Sequence, residues 1–489
     1  MKPFKSIVIL CAVWVSAGNL ASAQSLTTLH KFCAKSGCPD GAVPTGLVQV
    51  TNGDLYGTTE SGGAYGYGTV FKMTSSGKLT TLYNFCAQSG CPDGAYPLAG
   101  VVEAANGDLY GTTSVGGAYG SANTGGTVFK ITPEGTLTTL HSFCAQNGCP
   151  DGELPQQGVV EVANGDLYGT TEVGGAYDEG TIFKITPGGT LTTLHSFCAQ
   201  GGCPDGEAPG GLILATNGDL YGMTPFGGAH NGGTVFKITQ AGTLSTLHNF
   251  CRKKGCTDGA NPGESSLVQA SNGDLYGTTF SGGAYGNGTL FEITLKGALT
   301  TLYSFCSPQI ACADGAIPEG NLVQAIDGNL YGATYGGGLN HNIYTGGTVF
   351  KSTLSGTVTT LYSFCPQGPC TDGDNPNPLL LATSGELYGT TNSGGARTGD
   401  GTIYMLSVGL GPFVETLPSL GKVGAAVTVL GSDLTGTTSV TFNGTAATFT
   451  VVSESEIKTT VPTGATTGTV EVTTPSSTLT SNVAFQIKQ

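Results

Sequence analysis

The chain has 489 residues, with 18 basic and 33 acidic side chains, a formal net charge of −15 and only 10% charged residues, against roughly 25% in an ordinary soluble domain. That balance argues against a nucleic-acid partner, which needs clustered positive charge. Glycine (81) and proline (23) are abundant, but they recur at fixed intervals, which excludes low-complexity disorder and marks a repeat protein.

Residues 1–23 read as a secretory signal peptide: Lys2 and Lys5 supply positive charge, Ile7 to Val15 an apolar stretch, and Ala21-Ser22-Ala23 a small-residue cleavage site. The apolar stretch falls short of the roughly 20 residues a bilayer needs, so no transmembrane segment is expected in the mature chain. Removal of the signal takes away Trp14, the single tryptophan, and Cys11, which leaves 14 of the 15 cysteines. These form seven local pairs: Cys33/Cys38, Cys86/Cys91, Cys144/Cys149, Cys198/Cys203, Cys251/Cys256, Cys306/Cys312 and Cys365/Cys370. An even count in an exported chain predicts seven short-range disulfides. A zinc site would need distant pairs to converge, and no histidine recurs beside them.

The second copy shows the repeat most clearly. Gly100 to Ala104 is a short apolar run, Asn106-Gly107 a hairpin turn, and Asp108 to Thr113 a second run. After a glycine-rich loop come Gly126 to Thr132, the turn Pro133-Glu134-Gly135, and Leu137 to Phe143. Four strands and no helix are predicted. The anchor tyrosines Tyr56, Tyr110, Tyr168, Tyr221, Tyr276, Tyr331 and Tyr388 fix seven copies. The chain begins with an orphan fourth strand, Leu26 to Phe32, and the last copy stops after its third, Gly401 to Leu406. Each end supplies what the other lacks, so residues 24–407 are expected to form an all-β, seven-bladed β-propeller closed by the N-terminal strand.

The pattern D-G-x-x-P, x-G-x-L-Y-G-x-T, G-G and G-T-[VIL]-[FY] resembles the GloVer (Gloeo/Verruco) repeat of exported bacterial proteins over residues 25–407. The sixth copy departs at Asp327-Gly328-Asn329 and the seventh at Ser384-Gly385-Glu386. The resemblance implies export and a repeat architecture, and carries over no catalytic residue. A linker at 408–411 precedes a Thr- and Val-rich segment, 412–489, without cysteine. There Gly424, Val427, Val429, Gly431, Val440, Phe442, Gly444, Val461-Pro462, Gly464, Gly468, Val470, Val472, Phe485 and Ile487 resemble the IPT/TIG domain. That resemblance implies an immunoglobulin-like β-sandwich serving as a spacer or adhesion module.

No Ser, His or Cys constellation for nucleophilic catalysis is present, so no catalytic residue, metal or cofactor is assigned. His30, His141, His195 and His248 share one fourth-strand slot with Tyr83, Tyr303 and Tyr362, read as packing; His230 and His341 stand apart in loops. Asp40, Asp93, Asp151, Asp205, Asp258, Asp314 and Asp372 recur in D-G-x-x-P. A ring of such carboxylates would suit Ca²⁺, but the turn role is favoured because calcium loops gather several ligands locally.

Strand parity sends the short turns to one face and both long connections, the cysteine loop and the G-G-A-Y loop, to the other. Tyr65, Tyr119, Tyr177, His230, Tyr285 and Arg397 occupy corresponding positions on that second face, with Leu339 breaking the series. They are the candidate ligand contacts. The predicted function is a monomeric, secreted or cell-surface (alternatively periplasmic) binding or adhesion protein that recognises an extracellular glycan or protein. The alternative is an extracellular polysaccharide lyase or hydrolase on the same face, for which Glu60, Glu172, Asp178 and Glu179 are the available acids.

Overall fold

The computed structural model describes residues 24–488 except 122–123, 264–265, 309–311, 340–341, 367 and 398. Residues 1–23, expected as a signal peptide, and His341 therefore lie outside the described residues. The rest is all-β, with many small antiparallel sheets.

In the repeat region each copy contributes one sheet, numbered 1 to 7 here in chain order. Sheet 1 runs Ala42–Gln49, Leu55–Ser61, Thr69–Met73, Leu79–Asn84, each strand paired with the next. Sheets 2, 3, 4 and 6 repeat this order with first strands of only two residues, such as Val102–Glu103. Sheets 5 and 7 divide the first strand into two pieces, Ala260–Pro262 with Val268–Gln269 and Asp374–Pro376 with Leu380–Leu381. Sheet 7 takes its fourth strand from the other end of the chain: Ser25–Lys31 pairs with Thr402–Ser407, from Ser25 opposite Ser407 to Lys31 opposite Thr402.

The repeat motif follows from side-chain fit across the strands. The glycine of L-Y-G-x-T faces the phenylalanine of G-T-V-F, as Gly57 faces Phe71. A Cβ at Gly57 would come within 2.6 Å of the Phe71 ring, and at Gly111 within 2.5 Å of Phe129. Two residues later the threonine pairs with the threonine of G-T: Thr59 and Thr69 hydroxyls are 2.9 Å apart, Thr113 and Thr127 2.8 Å, and the pair recurs in all seven sheets. The anchor tyrosine buries its ring, and in four copies its hydroxyl reaches the hairpin turn, as where Asn106 Nδ2 donates to Tyr110 OH at 3.0 Å and Asn272 to Tyr276 OH at 2.8 Å.

Apolar cores lie between sheets. Tyr56 and Val70 of sheet 1 pack with Leu109, Phe129 and Ile131 of sheet 2, and the same composition recurs at each successive junction. The last cluster joins sheet 7 to sheet 1, through Phe32, Tyr388 and Ile403 against Leu55, Phe71 and Met73. A polar clasp accompanies five junctions. The Thr51 amide and hydroxyl donate to Glu103 at 2.8 and 2.7 Å, Ala105 N to Glu161 at 2.9 Å, and Thr216 N to Gln269, Ser271 N to Gln324 and Thr383 N to Gln49 at 2.8 Å each. The last of these again links copy seven to copy one.

The C-terminal segment has two four-stranded antiparallel sheets, one containing Ala426–Leu430 and Glu456–Thr460, the other Ser439–Phe442 and Val470–Thr473. Val427, Val429 and Ile457 of one meet Val440, Phe442, Val470 and Val472 of the other, an immunoglobulin-like sandwich. Residues 408–411, expected as a linker, partly pack: Val408 and Leu410 lie against the sheet 6–7 core, and Phe413 is buried in it. The sandwich meets the short-turn side of the repeats, where Ser455 Oγ donates to Thr51 O (2.9 Å), Asn482 Nδ2 to Gln324 O (2.6 Å), and Thr383 and Ser432 hydroxyls bond at 3.1 Å. Among the described residues no helix is long and apolar enough to cross a membrane.

Candidate functional site

Both long loops of every copy share one side. The amide of the second glycine in G-G donates to the carbonyl of the second cysteine, from Gly63 to Cys38 through Gly395 to Cys370, at 2.8 to 2.9 Å. All seven expected cysteine pairs are disulfide-bonded: Cys33 to Cys38, Cys86 to Cys91, Cys144 to Cys149, Cys198 to Cys203, Cys251 to Cys256, Cys306 to Cys312 and Cys365 to Cys370. Each bridge closes a tight turn in which the first cysteine is left-handed, with φ between 51° and 65°, a conformation non-glycine residues adopt only when the surroundings hold them.

The second cysteine, bridged as expected, also acts through its backbone. Cys91, Cys256 and Cys312 are themselves left-handed, at φ 49°, 50° and 61°. Their carbonyls each gather two amides, one from the D-G turn and one from the G-G loop. Gly94 and Gly117 donate to Cys91 O at 2.9 and 2.8 Å, Gly259 and Gly283 to Cys256 O at 2.9 Å each, and Gly315 and Gly338 to Cys312 O at 2.9 and 2.8 Å. Backbone hydrogen bonds at these residues therefore join the two long loops, while the sulfur holds only its own turn. None of the fourteen cysteines, Cys91, Cys256 and Cys312 included, lines the central cavity described below, so the bridges shape the site without being ligand contacts in it.

The His/Tyr slot and the D-G aspartate, considered separately in the sequence, are partners ten or eleven residues apart. His30 Nε2 bonds Asp40 Oδ2 at 2.8 Å; His141 to Asp151 and His195 to Asp205 follow at 2.9 Å. Tyr83, Tyr303 and Tyr362 donate their hydroxyls to Asp93, Asp314 and Asp372 at 2.8 to 2.9 Å. His248 and Asp258 stand at 3.4 Å. Most of these carboxylates also accept an amide, usually that of the first cysteine, as in Cys198 N to Asp205 Oδ1 at 3.1 Å. The slot accepts two residue types because both can donate to one carboxylate. Burial alone would raise the Asp40 and Asp205 carboxyls, but hydrogen bonds from His30 and His195 outweigh it and hold them below the ordinary aspartate range. Burial pushes His248 the other way, below the usual histidine value. The seven aspartates remain on their own sheets; among the described residues no three of them converge.

The six candidate contact residues are exposed but dispersed. Tyr65, Tyr119, Tyr177 and Tyr285 are 51, 62, 51 and 44% exposed, and His230 and Arg397 are exposed too. Their loops are tied to the end of the fourth strand, since Ala64 N donates to Asn84 Oδ1 and Ala284 N to Ser304 Oγ. They stand over the outer strands, and none lines the central cavity.

That cavity, about 930 Å³, is lined by all seven copies. Its walls come from the segments after D-G-x-x-P and from the residue or two following L-Y-G-x-T, both on the long-loop side. The position after L-Y-G-x-T differs in every copy except two: Glu60, Ser114, Glu172, Pro225, Phe280, Tyr335 and Asn392. Glu60 is half-buried with no hydrogen-bonded side-chain partner among the described residues, and burial raises its pKa. Glu172 takes a hydrogen bond from Gln156 at the cavity wall, yet burial still leaves its carboxyl raised. Phe226 and Phe280, on adjacent sheets, are 48 and 39% exposed at the cavity. Asp178 and Glu179 lie outside it. A varied position inside an invariant motif was the available signal for this site.

The three stretches 19–204, 119–342 and 307–426 match the model of the Gloeobacter/Verrucomicrobia repeat. The chain belongs to that repeat family. Residues 414–487 match the IPT/TIG domain, the segment seen as the sandwich. No curated protein matches the chain. Among solved structures, a fungal alcohol oxidase of the AA5 family in complex with copper is similar at 14% identity and a TM-score of 0.51, over 95% of this chain and 99% of that one. A candidate 6-phosphogluconolactonase from Bacteroides uniformis is similar at 15% identity and a TM-score of 0.42, covering 66% and 84%. One from Bacteroides fragilis has 14% identity and a TM-score of 0.41, covering 76% and 89%. At these identities the likeness concerns the fold alone, and the copper belongs to the oxidase. In the Gloeobacter/Verrucomicrobia repeat chain, the carboxylate and cysteine groups near enough to share an ion have their sulfurs in disulfides, which removes the thiolates a metal would need.

Proposed function

We propose that this is an extracellular binding protein in which residues 24–407 form a seven-bladed β-propeller that recognises a glycan or protein on its long-loop side, with 412–489 as its mount. Residues 1–23 act as the export signal. The carrying observation is the two-sidedness of the molecule: the cavity and the disulfide-fixed loops share one side, while the sandwich contacts the turns of sheets 1, 6 and 7 on the other. Closure into a propeller is supported by the cores that run from each sheet to the next and return from sheet 7 to sheet 1. Seven disulfides suit an oxidising compartment. Loops already fixed by a bridge lose less entropy on binding. Tyr65, Tyr119, Tyr177, His230, Tyr285 and Arg397 then form an outer ring of contacts around the cavity, where interface aromatics contribute about 1–2 kcal/mol or more when buried by a ligand.

The test is a screen of the exported protein against immobilised glycans and extracellular proteins. A paired Tyr119→Ala, Tyr177→Ala variant is compared with a turn-side pair, Asn106→Ala, Asn164→Ala. Weaker binding by the tyrosine pair alone supports the assignment, and loss confined to the turn pair places recognition on the opposite side. Release of shortened product from a bound polysaccharide would favour the lyase or hydrolase alternative.

A further inference from the structure

The cavity has a lining more specific than its surroundings. Among the described residues two carboxylates, Glu60 of sheet 1 and Glu319 of sheet 6, lie on it, and no Lys, Arg or His does. The whole chain is acidic, so an anionic guest would be repelled on approach and again inside. A neutral guest would offer the Glu60 carboxylate hydroxyl donors but no charge, whereas an ammonium group supplies both. Apolar surface is provided by sheets 4 and 5, where Phe226 and Phe280, outside the repeat motif, keep much of their surface uncovered while the phenylalanines of the motif are completely buried. Amides complete the lining. Asn321 Oδ1 accepts from Ser266 N and Asn377 Nδ2 donates to Pro44 O, which leaves the Asn321 amide nitrogen and the Asn377 amide oxygen to meet a ligand, together with Asn392.

We infer that this cavity takes an amino sugar of an extracellular oligosaccharide, its ring against Phe226 and Phe280 and its ammonium group toward Glu60. The inference rests on the long-loop binding reading and names the ligand class for it. Aromatic faces accept the C–H face of a pyranose and attract a nearby cation. The amides, each with donor and acceptor atoms, suit hydroxyl groups distributed around a ring. A lysine side chain of a protein partner would satisfy one carboxylate but leave those amides without partners, and unpaired polar groups at a dry contact are costly.

Calorimetric titration of the exported full chain at pH 6 uses three probes of similar length: a fully deacetylated glucosamine tetramer, its N-acetylated counterpart, and tetralysine. The glucosamine tetramer is expected to bind, more weakly as salt rises. Glu60→Gln should weaken it about tenfold or more, the loss of one hydrogen bond to a charged group. The double variant Phe226→Ala, Phe280→Ala should remove binding, with circular dichroism confirming the fold. Equal affinity for the acetylated tetramer, unchanged by Glu60→Gln, would overturn the amine requirement and leave long-loop recognition standing. Binding of tetralysine instead, with the same dependence on Glu60 and Phe226, would overturn the sugar assignment. If the wild-type chain binds no probe the inference fails, and the immobilised-ligand screen decides separately whether the wider reading fails with it.

Discussion

Phe32 gives the most direct measure of whether the N-terminal strand is a full member of the last sheet. Its ring is completely buried, in the cluster that joins sheet 7 to sheet 1, 5.6 Å from Phe71. Its amide donates to Gly401 O at 3.1 Å, as Phe85 N does to Gly68 O within a copy that is continuous in sequence. Phe85 is equally buried and stacks with Phe129 at 5.3 Å. Truncating a buried phenylalanine removes its transfer free energy and leaves a cavity, typically about 3–5 kcal/mol. Phe32→Ala and Phe85→Ala should therefore each lose about that amount and agree within about 1 kcal/mol. The assay is guanidinium denaturation with disulfides intact, followed by tyrosine fluorescence and circular dichroism together, so that coincident transitions justify the free-energy comparison. A near-native midpoint for Phe32→Ala beside a large loss for Phe85→Ala would refute the pairing of the chain ends.

Three further outcomes are expected. Glu103→Ala should cost about 2 kcal/mol, because two hydrogen bonds to a buried carboxylate vanish; Glu103→Gln should match or exceed wild type at neutral pH, since burial raises the Glu103 pKa and Gln already serves at 49, 269 and 324. Glu415 sits on the strand Glu415–Leu417 and burial pushes its carboxyl to about 7. A raised folded pKa means the neutral form is favoured, so a penalty grows as pH rises from the unfolded value of 4.5 through about 7. Glu415→Gln should melt like wild type near the lower value and gain about 1–2 kcal/mol above the upper one, partial exposure reducing the full shift. Val43, before Pro44, has φ 55°, which costs a β-branched residue about 1–2 kcal/mol. Val43→Asn should raise the denaturation midpoint, as Asn261 and Asn375 occupy the same slot at 49° and 56° and donate to neighbouring carbonyls.

The repeat, its strands, the seven disulfides and the pairing of the first strand with the last strand of the repeats were legible because each rests on a simple rule: alternation, turn residues, an even cysteine count at constant spacing, or a strand missing at one end and spare at the other. The common side of the two long loops followed from strand parity alone. Relations between residues that are individually unremarkable were not legible. His195 and Asp205 each have a bland reading, and only the return of the cysteine turn brings them together. The carbonyls of Cys91, Cys256 and Cys312 were hidden behind their sulfurs, since a cysteine in a pattern advertises its side chain and not its backbone. Glu103 and Gln324 look like solvent-facing ends of a strand until the neighbouring sheet presents an amide. The cavity was hidden for the opposite reason, since Glu60, Phe280 and Asn392 occupy a position that varies from copy to copy. The seating of Ser455 and Asn482 on the turns depends on surfaces of two domains, which no periodicity encodes.

The pairing of Ser25–Lys31 with Thr402–Ser407 also imposes an order on folding. Sheets 1 to 6 are each built from contiguous sequence and can form as they emerge. The first-made strand has no partner until the last-made one of the repeats arrives; at about 5–20 residues per second that wait is roughly 20–70 s. Loop closure over such a length is entropically costly, though the cost grows only slowly with length. A chain cut short anywhere before Thr402 would keep an unpaired strand at one end and an open sheet edge at the other, both open to capture by chaperones or proteases. Completeness of the repeat array is thus registered mechanically, by whether its two ends can meet.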